Sequence, residues 1–297
     1  MERIIEGSPG EVAEVWVRDR GCDSPRMRGT VVIEDLTSVL TRIANRSGAN
    51  GPQNPVTQYI LRQAAEHLAD RLIGDIGNPL EGESVPRTLS GALGHQPFIE
   101  TTLGLSQHQM LRRWPLATDW YTDVINYVMR PSRFGTVHIT TAQNIAEWSR
   151  GTLGEFLRKF TEHQVASFGD LRQIRMAEAL QSLWPDYPPV RDAISAYREM
   201  VKETWLPLYK TVMRRYGLSF RPGVTAEEIG WIFNAFHSRE TLERLSDPNM
   251  PGHVDRAGNT WSMTARSALL VVAGTCADAQ GRALSIDELE RLRPVNG

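Results

Sequence analysis

Ser106, Gln107, His108, Gln109, Arg112 and Arg113 crowd into one short stretch, and their types suit reading a nucleic acid better than breaking a bond. Glutamine and histidine offer hydrogen bonds to base edges, and arginine neutralises phosphate or reaches guanine. Gly104 stands just before them, where a glycine tolerates the positive φ of a sharp turn. Ser106 is placed to cap a helix, and Leu105 to tuck into a small core beneath the turn. Met110 and Leu111 are expected to pack or to face the backbone. The stretch therefore reads as the turn and second helix of a helix-turn-helix. It also fits a plain capped loop between helices, with Arg112 and Arg113 complementing a helix dipole.

Signals for catalysis are few. The chain has no HExxH, GxSxG, DDxxD or glycine-rich phosphate loop. His67 with Asp70 and His237 with Glu240 share helix faces, but such pairs suit solvated hydrogen bonds better than metal ligands. Cys22 and Cys276 lie far apart without a CxxC spacing, so neither a disulfide framework nor a zinc site is expected. The reading is of a protein that is not an enzyme and carries no cofactor or metal. Aromatic residues at helical spacing fill the second half, and for most of them core packing is the natural role. A subset of Trp148, Trp205, Tyr209, Trp231 and Phe233 is expected to line a cavity for an apolar or aromatic molecule. Pro207 would kink or break its helix near Trp205 and open space beside Trp205 and Tyr209.

The elements that must position these residues are helical. The 297 residues suffice for two ordinary domains, and 41% hydrophobic with 23% charged residues is typical of a soluble globular chain. A formal net charge of −2 gives no global pull toward nucleic acid or acidic membranes. No apolar run approaches the roughly 20 residues of a membrane helix, and the N-terminus lacks an apolar signal region. A cytoplasmic protein without membrane contact is expected. Glu11 to Val17 fits a short strand or a helical turn, and Val32, Leu36, Leu40 and Ile43 have helical spacing. From Pro55 onward the pattern is almost wholly helical. Ile60, Ala64, Leu68 and Leu72 mark a first helix, and a Gly/Pro/Glu-rich loop follows from Gly74 to Pro86. Short helical pieces come around Leu89 to Leu93 and Phe98 to Leu103, and Trp120, Val124 and Val128 mark the next helix. A long stripe from Val190 to Tyr216 ends at Gly217, a natural left-handed terminator. Thr225 with Glu228 and Ser285 with Glu288 form capping boxes. The class is all-α. Residues 1–54 form an N-terminal extension of uncertain structure, 55–130 a helix-turn-helix domain, and 131–297 a helical ligand-binding and dimerisation domain.

Leu103 to Pro115 resembles the TetR family pattern of alanine, glycine, valine, serine, three variable residues, leucine, tyrosine, arginine, a variable residue, aromatic, proline. The register holds through Gly104, Ser106, Met110, Arg112, Trp114 and Pro115. Tyr59 to Leu72 is similar to that family's first helix, and Gly217-Leu-Ser-Phe-Arg-Pro-Gly-Val-Thr-Ala-Glu-Glu228 to a junction common in its C-terminal domain. The resemblance spans roughly Pro55 to Ala279. It implies a DNA-binding domain, a larger domain that takes a small effector, and a homodimer built on the last long helices. The chain departs from the pattern at Leu111, where the family has a phosphate-contacting tyrosine. It departs again at Leu116 to Asp119, where a lysine is usual, and in the longer link from Gly74 to Pro86. Between Arg87 and Leu116 the charged residues are Arg87, Glu100, Arg112 and Arg113, which predicts weak non-specific affinity.

The expected function is thus a TetR-like repressor of transcription, binding double-stranded operator DNA as a homodimer under control of a small apolar effector. Two other readings stay open. One is a regulator-derived dimeric scaffold without DNA binding; the other is an all-α enzyme whose site is assembled from distant residues.

Overall fold

The structure is a computed structural model that describes residues 6–19, 21–72, 93, 95–100, 102–130, 135–169, 172–247 and 249–295. The chain is mostly helical and divides into two compact units. The first comprises residues 1–130 and 175–195, the second 131–174 and 196–297. The expected Gly74–Pro86 loop lies outside the described residues, as does most of the piece expected at 89–93.

The first unit opens with two antiparallel strands, β1 (Val12–Val17) and β2 (Arg26–Val32). Alternation places Ala13, Val15, Val17 and Val31 inward, where all are buried. They pack with Ile60, Leu61, Ala64 and Leu68 of α1 (Pro55–Leu72) into one apolar core. The described residues between 6 and 54, read from sequence as part of an extension, therefore contribute to the core of this unit. The helix expected from Val32 to Ile43 does not form. That segment leaves β2 as a loop that folds back on itself, with the Val39 and Leu40 N–H groups donating to Leu36 O. Leu36, Leu40 and Ile43 reach the core from this loop, so the spacing of four came from a single turn and not from a helix. A π-helical turn (His95–Glu100), a short helix α2 (Gln107–Leu111) and α3 (Ala117–Val128) follow. Trp120, Val124, Ile125 and Val128 face the same core. Met176 and Leu180 from α6 (Arg172–Leu183) and Val190 and Ile194 from the start of α7 (Pro188–Arg215) complete it.

The second unit holds α4 (Gly135–Trp148), α5 (Leu153–Gly169) and most of α7. Beyond these come α8 (Ala226–Ser246), α9 (Met263–Thr275) and α10 (Ile286–Arg291). Helix α7 is not broken at Pro207. The proline removes one backbone donor, whereas Trp205 before it and Val212 and Met213 after it are all buried, and that packing carries the helix through. Gly217 ends it at φ +65°. Thr225 with Glu228 starts α8 and Ser285 with Glu288 starts α10, both as capping boxes. Two small sheets tie the connections: β3 (Ser219–Phe220) pairs with β6 (Cys276–Ala277), and β4 (His253–Val254) with β5 (Thr260–Trp261). Cys276 is buried at the end of α9. No described helix is long and apolar enough to cross a membrane.

Candidate nucleic-acid interface

Gly104 sits at φ +66°, in the left-handed region that a side chain would disfavour. It links the π-helical turn to α2. Leu103 and Leu105 on either side are buried, and Leu105 N–H donates back to Ile99 O at 3.0 Å. Ser106 starts α2 through a capping box, its N–H donating to Gln109 Oε1 at 3.1 Å. The helix has five residues. Its inner side is Met110, and Trp114 follows into the core beside Trp120 at 4.7 Å between ring centroids.

The outer side carries Gln107, His108, Leu111 and Arg112, all exposed. The far end of α2 is held by the 42–45 segment. Ala44 N–H donates to Arg113 O at 2.8 Å and Asn45 Nδ2 to Arg112 O at 3.1 Å. Asp123 braces both sides, accepting from Trp114 Nε1 at 2.9 Å and Arg42 N–H at 3.0 Å. Burial pushes its carboxyl above the ordinary range, with these donors pulling the other way.

Arg113 departs from its expected role. It is buried at 5% exposure, and its guanidinium is consumed by four internal hydrogen bonds. Nε donates to Thr57 Oγ1 at 2.8 Å and NH1 to Gln109 O at 3.0 Å. NH2 donates to Ala49 O at 3.1 Å and Asn54 Oδ1 at 3.3 Å. Burial, with the neighbouring Arg112 charge, lowers its pKa to about 10. It knits α2 to the start of α1 and offers nothing to a phosphate. Gln109 is also partly committed, since its Nε2 donates to Arg18 O at 3.2 Å. The surface left for a ligand is Gln107, His108 and Arg112.

Two residues the sequence reading missed lie beside this surface. Arg28 forms an ion pair with Asp19, and its NH2 lies 3.2 Å from where a Cβ on Gly104 would stand. No local signal marks this contact, because the sequence separation is some 75 residues.

Of the five aromatics expected to supply the lining of a cavity, three come together and two stand apart. Trp205, Tyr209 and Phe233 form a continuous ladder with Phe160. Centroids lie 5.8 Å apart for Phe160–Trp205, 6.2 Å for Trp205–Tyr209 and 5.5 Å for Tyr209–Phe233. Burial raises the Tyr209 hydroxyl above its usual pKa. Trp148 packs instead on His163 at 5.2 Å, and Trp231 is 70% exposed, because it faces away from the core side of α8. A groove of about 620 Å³ runs along α7 between Glu199 and Arg214. Charged residues dominate its walls and none of the five aromatics lines it. Among the described residues no group of three or more His, Cys, Asp or Glu side chains could hold a metal ion.

No family model, curated protein or solved structure matches this chain.

Proposed function

We propose that the chain is a TetR-like transcriptional repressor that binds operator DNA through the face around α2. The observation that carries this reading is the joint geometry of Gly104 and Ser106. A positive-φ turn and a capped helix start hold Gln107, His108 and Arg112 outward over a buried Leu105–Met110–Trp114 base. Base-edge donors and acceptors beside a cation are what sequence-selective binding needs.

A homodimer fits the second unit. One line along α8 (Trp231, Ala235, Ser238, Leu242) and one along α9 (Met263, Ser267, Leu270, Gly274) carry no charge. Trp231, Leu242, Met263 and Leu270 are 70%, 36%, 45% and 48% exposed. Large exposed apolar side chains clustered on two packed helices mark a docking face. An isologous contact with a second copy covers both lines at once and repeats the reading face about a two-fold axis. The Trp205–Tyr209–Phe233 ladder is the place for a small apolar effector. Its binding would shift the spacing of the two reading faces and release the operator. A cytoplasmic location goes with this role.

A second reading, a dimeric scaffold that has lost DNA binding, is favoured by the burial of Arg113, which removes one of two expected phosphate contacts. Retention of the protein's own upstream intergenic DNA at low and moderate salt separates the two. Saturable, sequence-selective retention supports the repressor; an intact dimer that ignores all DNA at low salt supports the scaffold.

A further inference from the structure

We infer that the tip of the β1–β2 hairpin is a second DNA-contacting element, gripping phosphates of the same duplex that α2 reads. This rests on the DNA-binding reading and extends it to a segment outside the helix-turn-helix stretch. Between positions 18 and 28 four arginines stand against two aspartates, and Arg18, Arg26 and Arg28 are exposed. The tip is fastened beside α2 at two points. Gln109 Nε2 donates to the Arg18 carbonyl, and Arg28 lies against the bare Cα of Gly104.

A β-bulge makes the second contact. Val15 pairs with Gly29 and Trp16 with Met27, so Arg28 is the extra residue. Bulges re-aim the side chain they carry, and Gly29 accommodates this one at φ +132°. Arg28 thus leaves the strand alternation, meets the Gly104 turn and holds Asp19 in an ion pair. One of the two tip aspartates is thereby neutralised. The hairpin flanks α2 without covering it, since Gln107, His108, Leu111 and Arg112 remain exposed. Guanidinium groups in this position suit the phosphate backbone next to an occupied groove, where they set register without reading sequence. They also supply the positive charge that the 87–116 segment lacks.

The test uses the full chain and the double variant Arg18→Ala/Arg26→Ala, which leaves the Arg28–Asp19 pair and the Arg18 carbonyl intact. Binding to the upstream fragment is titrated with KCl, and melting is followed in parallel. Each lost phosphate contact lowers the slope of log K against log salt by about 0.9. The expected result is a slope smaller by about 2 and an affinity about tenfold lower at moderate salt. The preference for the cognate over a scrambled fragment and the melting temperature stay the same. Selective binding by the wild type with an unchanged slope in the variant overturns the hairpin's role and leaves the repressor reading standing. Tighter binding by the variant overturns it as well, by showing that the tip screens α2. A wild type that ignores DNA overturns both.

Discussion

Replacing Arg113 by alanine should unfold the first unit more readily while replacing Arg112 should not, although the two are neighbours of identical type. Truncation at 113 leaves the carbonyls of Ala49 and Gln109 without the donors they have at 3.1 and 3.0 Å. The buried Thr57 Oγ1 also loses its donor at 2.8 Å, at a cost of about 2 kcal/mol; the two part-buried carbonyls cost about 1 kcal/mol each, and two lost methylenes about 1.6 kcal/mol more. Against this, a guanidinium whose pKa burial holds down to about 10 gives back about 3 kcal/mol when it is removed. The net loss is about 2–3 kcal/mol. For a unit of about 150 residues that lowers the melting temperature by roughly 5–10 °C. Arg112 is exposed, and its substitution should stay within about 0.5 kcal/mol. In DNA titrations the roles reverse, with Arg112→Ala reducing the salt slope by about one. Thermal and urea denaturation of the two single variants, read by circular dichroism, decide the matter. An Arg113→Ala protein that melts with the wild type would refute the internal role of this arginine.

Three further outcomes are expected. Burial lowers the pKa of His237 to about 4, with Glu240 acting in the opposite sense. Between that value and the ordinary 6.5 the unfolded chain binds the extra proton. Its contribution is therefore complete above pH 6.5 and is lost as pH falls toward 4, by about 2 kcal/mol at pH 5. Urea midpoints at pH 7.5 and 5 in the wild type and His237→Gln should show the dependence in the first and its loss in the second; equal slopes would contradict it. On α8, a 70% exposed Trp231 leaves on the order of 140 Å² to be covered by a partner, about 3 kcal/mol per copy. Trp231→Glu with Leu270→Glu should elute as a monomer at micromolar concentration by light scattering, and a persistent dimer would move the interface elsewhere. Finally, Gly104→Ala must hold a side chain at φ +66°. That costs about 1–2 kcal/mol, and an unchanged urea midpoint would show that the turn relaxes.

Legibility followed the range of the interactions. The helix starts at Ser106, Thr225 and Ser285 and the ends at Gly104 and Gly217 were readable because each cap is closed within a few residues. The stripe Ile60–Ala64–Leu68 was readable because it repeats over a whole helix. Val32 to Ile43 misled because two apolar residues four apart also fit one loop turn. Pro207 does not break its helix because buried neighbours on both sides outweigh one missing hydrogen bond. At the candidate interface the failures are all long-range. Nothing local separates Arg113 from Arg112; the difference is made by Ala49, Asn54 and Thr57, more than fifty residues earlier. The hairpin's approach to α2 joins Arg18 to Gln109 across 91 residues. Trp231 stands two residues from both Ile229 and Phe233, so the helical period itself turns it to the far side of α8, a local signal that its aromatic type obscured.

Under the proposed function the face around α2 reads a DNA sequence twice, once per copy. Selection from a random-sequence duplex library by the purified protein is the decisive measurement. The expected result is one enriched half-site repeated about a two-fold centre, one or more helical turns apart, and loss of that enrichment in Gln107→Ala/His108→Ala. A library that emerges without any enriched sequence, from a protein that is folded and dimeric, would contradict it.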